Sequence, residues 1–132
     1  MKKIFIASVF LLSSTVAAAQ ESGNDDQYRQ ILDKATLERF GGAEVLVREH
    51  LYPPGWQAPR HYHDGDLFIY VISGTFEVVT DASGRGEFKP GQSVHMAADT
   101  MMDARNVSDT EPLKLVIFQI GDPGKPFLVP VE

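Results

Sequence analysis

From Ala43 to Ile120 the chain alternates short runs of β-forming residues with clusters of turn residues, and this pattern limits the fold more than any other feature. The runs fall at 43–52, 60–63, 66–73, 75–81, 86–89, 92–96, 101–107 and 112–120. Pro53-Pro54-Gly55, Asp81-Ala82-Ser83-Gly84, Pro90-Gly91 and Asp122-Pro123-Gly124 supply the turns. Eight strands in about 80 residues require a closed or double-sheet all-β architecture. Leu113 to Ile120 and Leu67 to Ile72 are apolar on both parities, so both faces of these strands need cover. A second sheet would cover one face. A partner subunit could cover the other, and a homodimer is the expectation.

Upstream of these runs the pattern changes. Met1-Lys2-Lys3, the apolar run Ile4–Leu12 and the small residues ending in Ala17-Ala18-Ala19 have the order of a cleavable export signal over residues 1–19. The apolar run is too short for a bilayer-spanning helix, which needs roughly 20 residues, so no membrane anchor is expected. Residues 20–27 contain three acids and no aliphatic side chain and read as a flexible leader. One domain is expected over 28–132, exported and, in a bacterium with two membranes, periplasmic. Residues 28–40 fit two templates. Tyr28, Ile31, Leu32 and Ala35 form a helical stripe, whereas Leu32, Lys34 and Thr36 alternate as in a strand.

Charge and cysteine content exclude several functions. Cleavage would leave 10 basic against 18 acidic residues, a balance of −8 that disfavours nucleic acid and anionic lipid. With no cysteine, the chain has no disulfides, thiolate metal sites or cysteine nucleophiles. Neither a nucleophile elbow nor a glycine-rich phosphate loop occurs.

His61 and His63 flank Tyr62, and residues two apart on a strand share a face, so both imidazoles can point at one place. Gly55, five residues, His61, one residue, His63, ten residues and Gly74 reproduce the spacing of the first cupin motif, ending in Tyr70-Val71-Ile72-Ser73-Gly74. The chain therefore resembles a small single-domain cupin over roughly residues 43–120, which implies a double-sheet β-barrel, the jelly-roll. The second motif opens at Gly91 and closes at Asn106. Four of five marked positions match in the first motif and two of five in the second. Leu67 stands where the family carries its glutamate ligand, and Met102 where the second motif carries its histidine.

The usual family site, three histidines and a carboxylate, suits Fe(II), Mn(II), Ni(II) or Zn(II). Here only His61 and His63 are retained. Strand parity places Leu67, Ile69 and Val71 on their face and turns Asp66 away. Three readings follow. The leading one is a pocket that binds a small molecule, a weakly held metal, or both, at His61 and His63, with Leu67, Ile69, Met96, Met102 and Asn106 shaping the cavity. The second is a metal-dependent oxygenase or isomerase, as the resemblance implies. The third is a periplasmic copper protein with a His2Met site of His61, His63 and Met102, since thioether sulfur suits Cu(I). Against the metal readings, Met96, Met101 and Met102 could simply fill an apolar barrel that holds no metal. Trp56 is placed to cover the barrel mouth, His95 reads as structural or exposed, and His50 has no evident partner.

Overall fold

The computed structural model describes residues 27–132, so the expected export signal and all but the last residue of the leader lie outside it. Ten strands form two five-stranded sheets. They are β1 (Tyr28–Leu37), β2 (Ala43–Tyr52), β3 (His61–Tyr62), β4 (Asp66–Ser73), β5 (Phe76–Thr80), β6 (Gly84–Phe88), β7 (Ser93–Met96), β8 (Met102–Asn106), β9 (Leu113–Gly121) and β10 (Val129–Pro130). The first sheet runs β1-β2-β9-β4-β7 and the second β10-β3-β8-β5-β6. All the pairings are antiparallel. The all-β double-sheet barrel expected from the alternating pattern is the fold observed.

The barrel interior follows strand parity. Leu67, Ile69 and Val71 of β4, Leu113, Leu115 and Ile117 of β9, Phe76 and Val78 of β5, and Met102 and Ala104 of β8 are all buried in one cluster. On the opposite face of β4 and β9, Phe68, Tyr70, Ile72 and Phe118 are each more than 40% exposed. The second sheet thus covers one side of these strands. Phe68 and Phe118 are direct cross-strand partners on the uncovered side.

The ambiguous segment 28–40 becomes β1 and a single 3₁₀ turn, Glu38–Phe40. Ile31 and Leu32 are about half exposed, so no apolar helical stripe is buried, and the ladder with β2 decides the conformation. A register shift between Ile31 and Asp33 accommodates the mixed pattern. β10 follows the Pro-Gly turn at 123–124 and pairs with the outer edge of β3, where Pro130 can sit because an edge position needs no further N–H donor.

Two glycines fix how the histidine strand and its neighbour meet β9. A Cβ on Gly65 would stand 2.5 Å from the Ile120 carbonyl oxygen, and one on Gly74 would stand 2.5 Å from that of Pro112. Gly74 also has φ +82°. Both obstacles are backbone, which cannot rotate away. Gly65→Ala and Gly74→Ala should each lower stability by about 2 kcal/mol or more in denaturant titrations. A loss under about 0.5 kcal/mol would contradict this close approach.

Candidate metal centre

β3 is only two residues long, with His61 at its start and His63 just past its end. His61 pairs across the ladder with Met102, and the chain then continues through His63 into the Gly65 approach to β9. Residues directly opposite on antiparallel strands bring their Cβ atoms to within about 5 Å, so Met102 is the immediate neighbour of His61. His61 is 4% exposed, His63 3% and Met102 1%. The two imidazole centroids are 4.9 Å apart with their planes perpendicular.

Each ring is held through one nitrogen. The His61 Nδ1–H donates to the Pro59 carbonyl at 2.6 Å, and the His63 Nδ1–H donates to the Phe127 carbonyl. A carbonyl can only accept, so both rings are fixed as the tautomer whose lone pair lies on Nε2. Among the described residues neither Nε2 has a hydrogen-bond partner. Burial lowers the affinity of both rings for protons: His63 is pushed down to about 4, its bond to the Phe127 carbonyl opposing the shift and the neighbouring His61 adding to it, and His61 is lowered too. Both are therefore neutral at physiological pH, the form that binds metal.

The cavity they share has a volume of about 30 Å³. Leu67 and Ile69 line it as parity predicted, beside Met102, Leu115 and Ile117, while Trp56 and Phe127 stand at the side formed by the loops. Trp56 stacks on Tyr52 with centroids 3.7 Å apart. Two expected pocket residues lie elsewhere. Met96 is buried in the core opposite Leu67 but does not line the cavity. Asn106 points inward, yet its amide is occupied, donating to the Pro53 and Glu111 carbonyls and accepting from the Ser108 N–H. It holds loops together and is unavailable to a ligand. Asp66 turns outward as expected and binds the exposed His95 at 2.6 Å.

Sequence reasoning missed two residues. His50 is fully buried, with Nδ1 2.8 Å from the Tyr52 hydroxyl and Nε2 without a partner. Burial, reinforced by the Arg29 and Arg48 charges, pushes it down to about 3. Inward parity with Leu46 and Tyr52 could have identified it. Phe127 contributes the carbonyl that fixes His63 and places its ring against both His50 and His63. Nothing in the turn-rich segment around it signals either role.

A larger recess of about 290 Å³ lies on the outer face of the second sheet, around Glu77, Arg85 and Arg105. Its charges satisfy one another. Arg105 donates twice and Arg85 once to the buried Glu77 carboxylate, holding it below the usual carboxylate range.

The donor set shows which ions fit. Leu67 is 0% exposed and occupies the carboxylate position with hydrocarbon. Among the described residues no group of three or more His, Cys, Asp or Glu side chains is placed to hold a metal. A hexacoordinate Fe(II) site of the usual composition does not fit. Two imidazoles beside a thioether do fit an ion that accepts nitrogen and soft sulfur.

Comparisons with known proteins agree with the architecture. A cupin superfamily protein from Desulfitobacterium hafniense superposes with a TM-score of 0.60 at 12% identity, covering 77% of this chain and 84% of that one. The polyketide cyclase RemF from Streptomyces resistomycificus gives 0.61 at 16% identity over 97% and 87%. The DMSP lyase DddQ from Ruegeria pomeroyi gives 0.64 at 17% identity over 81% of this chain and 52% of that one. At these identities the likeness concerns the fold alone. No curated protein matches the chain significantly. The cupin domain family matches residues 48–118, more than half of the chain. With both histidines and the Gly65 and Gly74 approaches inside that span, the chain belongs to the cupin family.

Proposed function

We propose that this cupin binds a single transition-metal ion through His61 and His63, with Met102 as a thioether donor, and that Cu(I) is the ion it suits best. One observation carries the reading: two imidazoles, each fixed by a carbonyl so that Nε2 is free, border a cavity of about 30 Å³ beside a buried methionine. A single water needs roughly 10–15 Å³ of such space, so the cavity admits an ion or about two to three waters. Organic ligands occupy roughly 300–1,000 Å³. A small-molecule or enzymatic role would therefore require Trp56 and Phe127 to move, whereas an ion requires no such opening. Export to the periplasm belongs to the same reading, and rests on the signal-like order of residues 1–19.

The test is metal affinity measured by chelator competition. Wild type should take up one Cu(I), and His61→Ala/His63→Ala should lose at least about 100-fold in affinity, more than the roughly 10–100-fold typical of removing a supporting partner. Met102→Leu should weaken Cu(I) more than about 10-fold and change Zn(II) less than about 3-fold. Equal responses of the two ions would remove Met102 from the ligand set. Wild type that binds no more metal than the double variant would end the reading.

We also place the contact between two copies of the chain on the outer face of the first sheet. Phe68, Tyr70, Ile72 and Phe118 expose 42–46% of their surface there, together about 350 Å², a continuous apolar centre for an interface of about 800 Å² per partner. The Glu49–Lys114 ion pair at 3.3 Å borders it with charge. Light scattering should give a dimer mass for wild type and a monomer mass for Phe68→Ser/Phe118→Ser. A monomeric wild type would refute the contact.

A further inference from the structure

Phe127 connects the cavity to the third buried histidine of the barrel. Its ring lies edge-on to His50 at 4.8 Å between centroids and tilted against His63 at 4.9 Å, with Arg48 over it at 4.9 Å. His50 and His63 are thus at most about 10 Å apart, with the phenyl ring in contact with both. Imidazoles that share an ion through bonds of about 2 Å have centroids roughly 6 Å apart. An ion shared by His50 and His63 would lie in the region that the phenyl ring, in contact with both, now fills.

His50 is otherwise prepared as a ligand. Its Nε2 is fully enclosed and has no hydrogen-bond partner among the described residues. Its Nδ1 lies 2.8 Å from the Tyr52 oxygen. In the tautomer that donates Nδ1–H to that oxygen, the lone pair is on Nε2, as in His61 and His63. An unpaired polar atom in a packed interior is costly, and native structures usually avoid it.

Phe127 lies in a short C-terminal segment that touches the barrel through few hydrogen bonds, among them His63 to the Phe127 carbonyl and Gln119 to the Pro126 carbonyl. It lies between the turn at 123–124 and β10, which has only two residues and pairs at the sheet edge. β10 is held through Tyr62 and His61, and Val131 donates to the Arg60 carbonyl at 3.0 Å. No strand of either sheet has to part from another, apart from β10 itself, for this segment to lift.

We infer that Phe127 is a specificity-determining residue that withholds His50 from the metal centre: with its ring in place the centre offers two imidazoles and a thioether, and with the ring displaced His50 joins as a third imidazole. The inference rests on the His61 and His63 reading above and deepens it. Two imidazoles and a thioether favour Cu(I), whereas three imidazoles form a set that binds Zn(II) strongly. The C-terminal segment therefore excludes the commoner divalent ion by hiding a ligand rather than by lacking one.

The experiment compares Zn(II) and Cu(I) affinities of full-length wild type, Phe127→Ala, and Phe127→Ala/His50→Gln by chelator competition. Phe127→Ala should bind Zn(II) at least about 10-fold more tightly than wild type, with Cu(I) changed less than about 3-fold, and adding His50→Gln should abolish the gain. A gain that survives His50→Gln, or no gain, would overturn the inference. Because His50→Gln alters a fully buried position, a second measurement uses Phe127→Ala alone. Zn(II) should shift the ring ¹⁵N resonances of His50, His61 and His63, leaving His95, the fourth histidine, unmoved. Shifts confined to His61 and His63 would refute the role of His50 while sustaining the two-histidine site. No shift at either would end both readings.

Discussion

Metal-free protein should lose about 4 kcal/mol of stability between pH 7.5 and pH 5, a fall in melting temperature of roughly 15 °C for a domain of this size. The cause is the pair of buried imidazoles whose folded-state proton affinities are lowest. Burial pushes His50 down to about 3 and His63 to about 4, against about 6.5 for an unfolded histidine. Above about pH 6.5 both states hold these rings neutral, and stability is at its full value. As pH falls below that point the unfolded chain takes up protons that the folded chain refuses. Each ring then costs about 1.4 kcal/mol per pH unit until its folded value is reached. Glu44, Glu49 and Glu77 also titrate low in the fold, from hydrogen bonds with Lys34, Tyr28 and Arg105 respectively. Their contributions are lost only as pH falls below the ordinary carboxylate range, so stopping at about pH 5 isolates the histidines. Thermal melts followed through Trp56 fluorescence check this. His63→Gln should flatten the slope by about half, and a melting temperature constant across the range would mean that the rings are hydrated and no dry centre exists.

The sequence revealed most of the fold because the inward side chains alternate along each strand with more polar or half-exposed ones. Glu44, Leu46, His50 and Tyr52 in β2, and Leu67, Ile69 and Val71 in β4, show a period of two that survives burial. β10 was not legible because two residues, one of them proline, carry no periodicity. The site was half legible. Spacing identified His61 and His63, parity put Leu67 on their face, and the resemblance to the second cupin motif brought Met102 to the site. Parity also turned Asn106 inward, but it cannot show that the amide is consumed by the Pro53 and Glu111 carbonyls. His50 went unpartnered in the sequence because its partners are a residue two positions along and a ring far down the chain, brought together only when the C-terminal segment crosses the barrel end. That segment carries the carbonyl that selects the His63 tautomer. The orientation and tautomer of a motif histidine thus depend on a stretch that looks like an ordinary turn.

Leu67→Glu should separate the hydrocarbon this chain uses from the carboxylate of its family. Leu67 is fully buried on the same face as His61 and His63, opposite Met96 on β7 and Gln119 on β9. A carboxylate there enters a lining of Ile69, Met102, Leu115 and Ile117, none of which carries a positive charge to receive it. Without metal the variant should lose about 3–5 kcal/mol, the cost of an uncompensated buried charge, and its melting temperature should fall by at least about 12 °C. Added metal should reverse part of that loss. The introduced carboxylate would turn two imidazoles into a His2Glu donor set, which binds Zn(II) well. An ion held only by the folded state at about 100 times its dissociation constant adds about 2.7 kcal/mol. Zn(II) should therefore restore more than half of the loss, and a chelator should remove it again. Leu67→Gln has the same shape without the charge, so it should be destabilised and recover far less. A variant as stable as wild type without metal would show that Leu67 does not sit in a dry cavity. Equal recovery of Leu67→Glu and Leu67→Gln would show that the ion binds elsewhere, because only a carboxylate facing His61 and His63 couples its own burial cost to the metal.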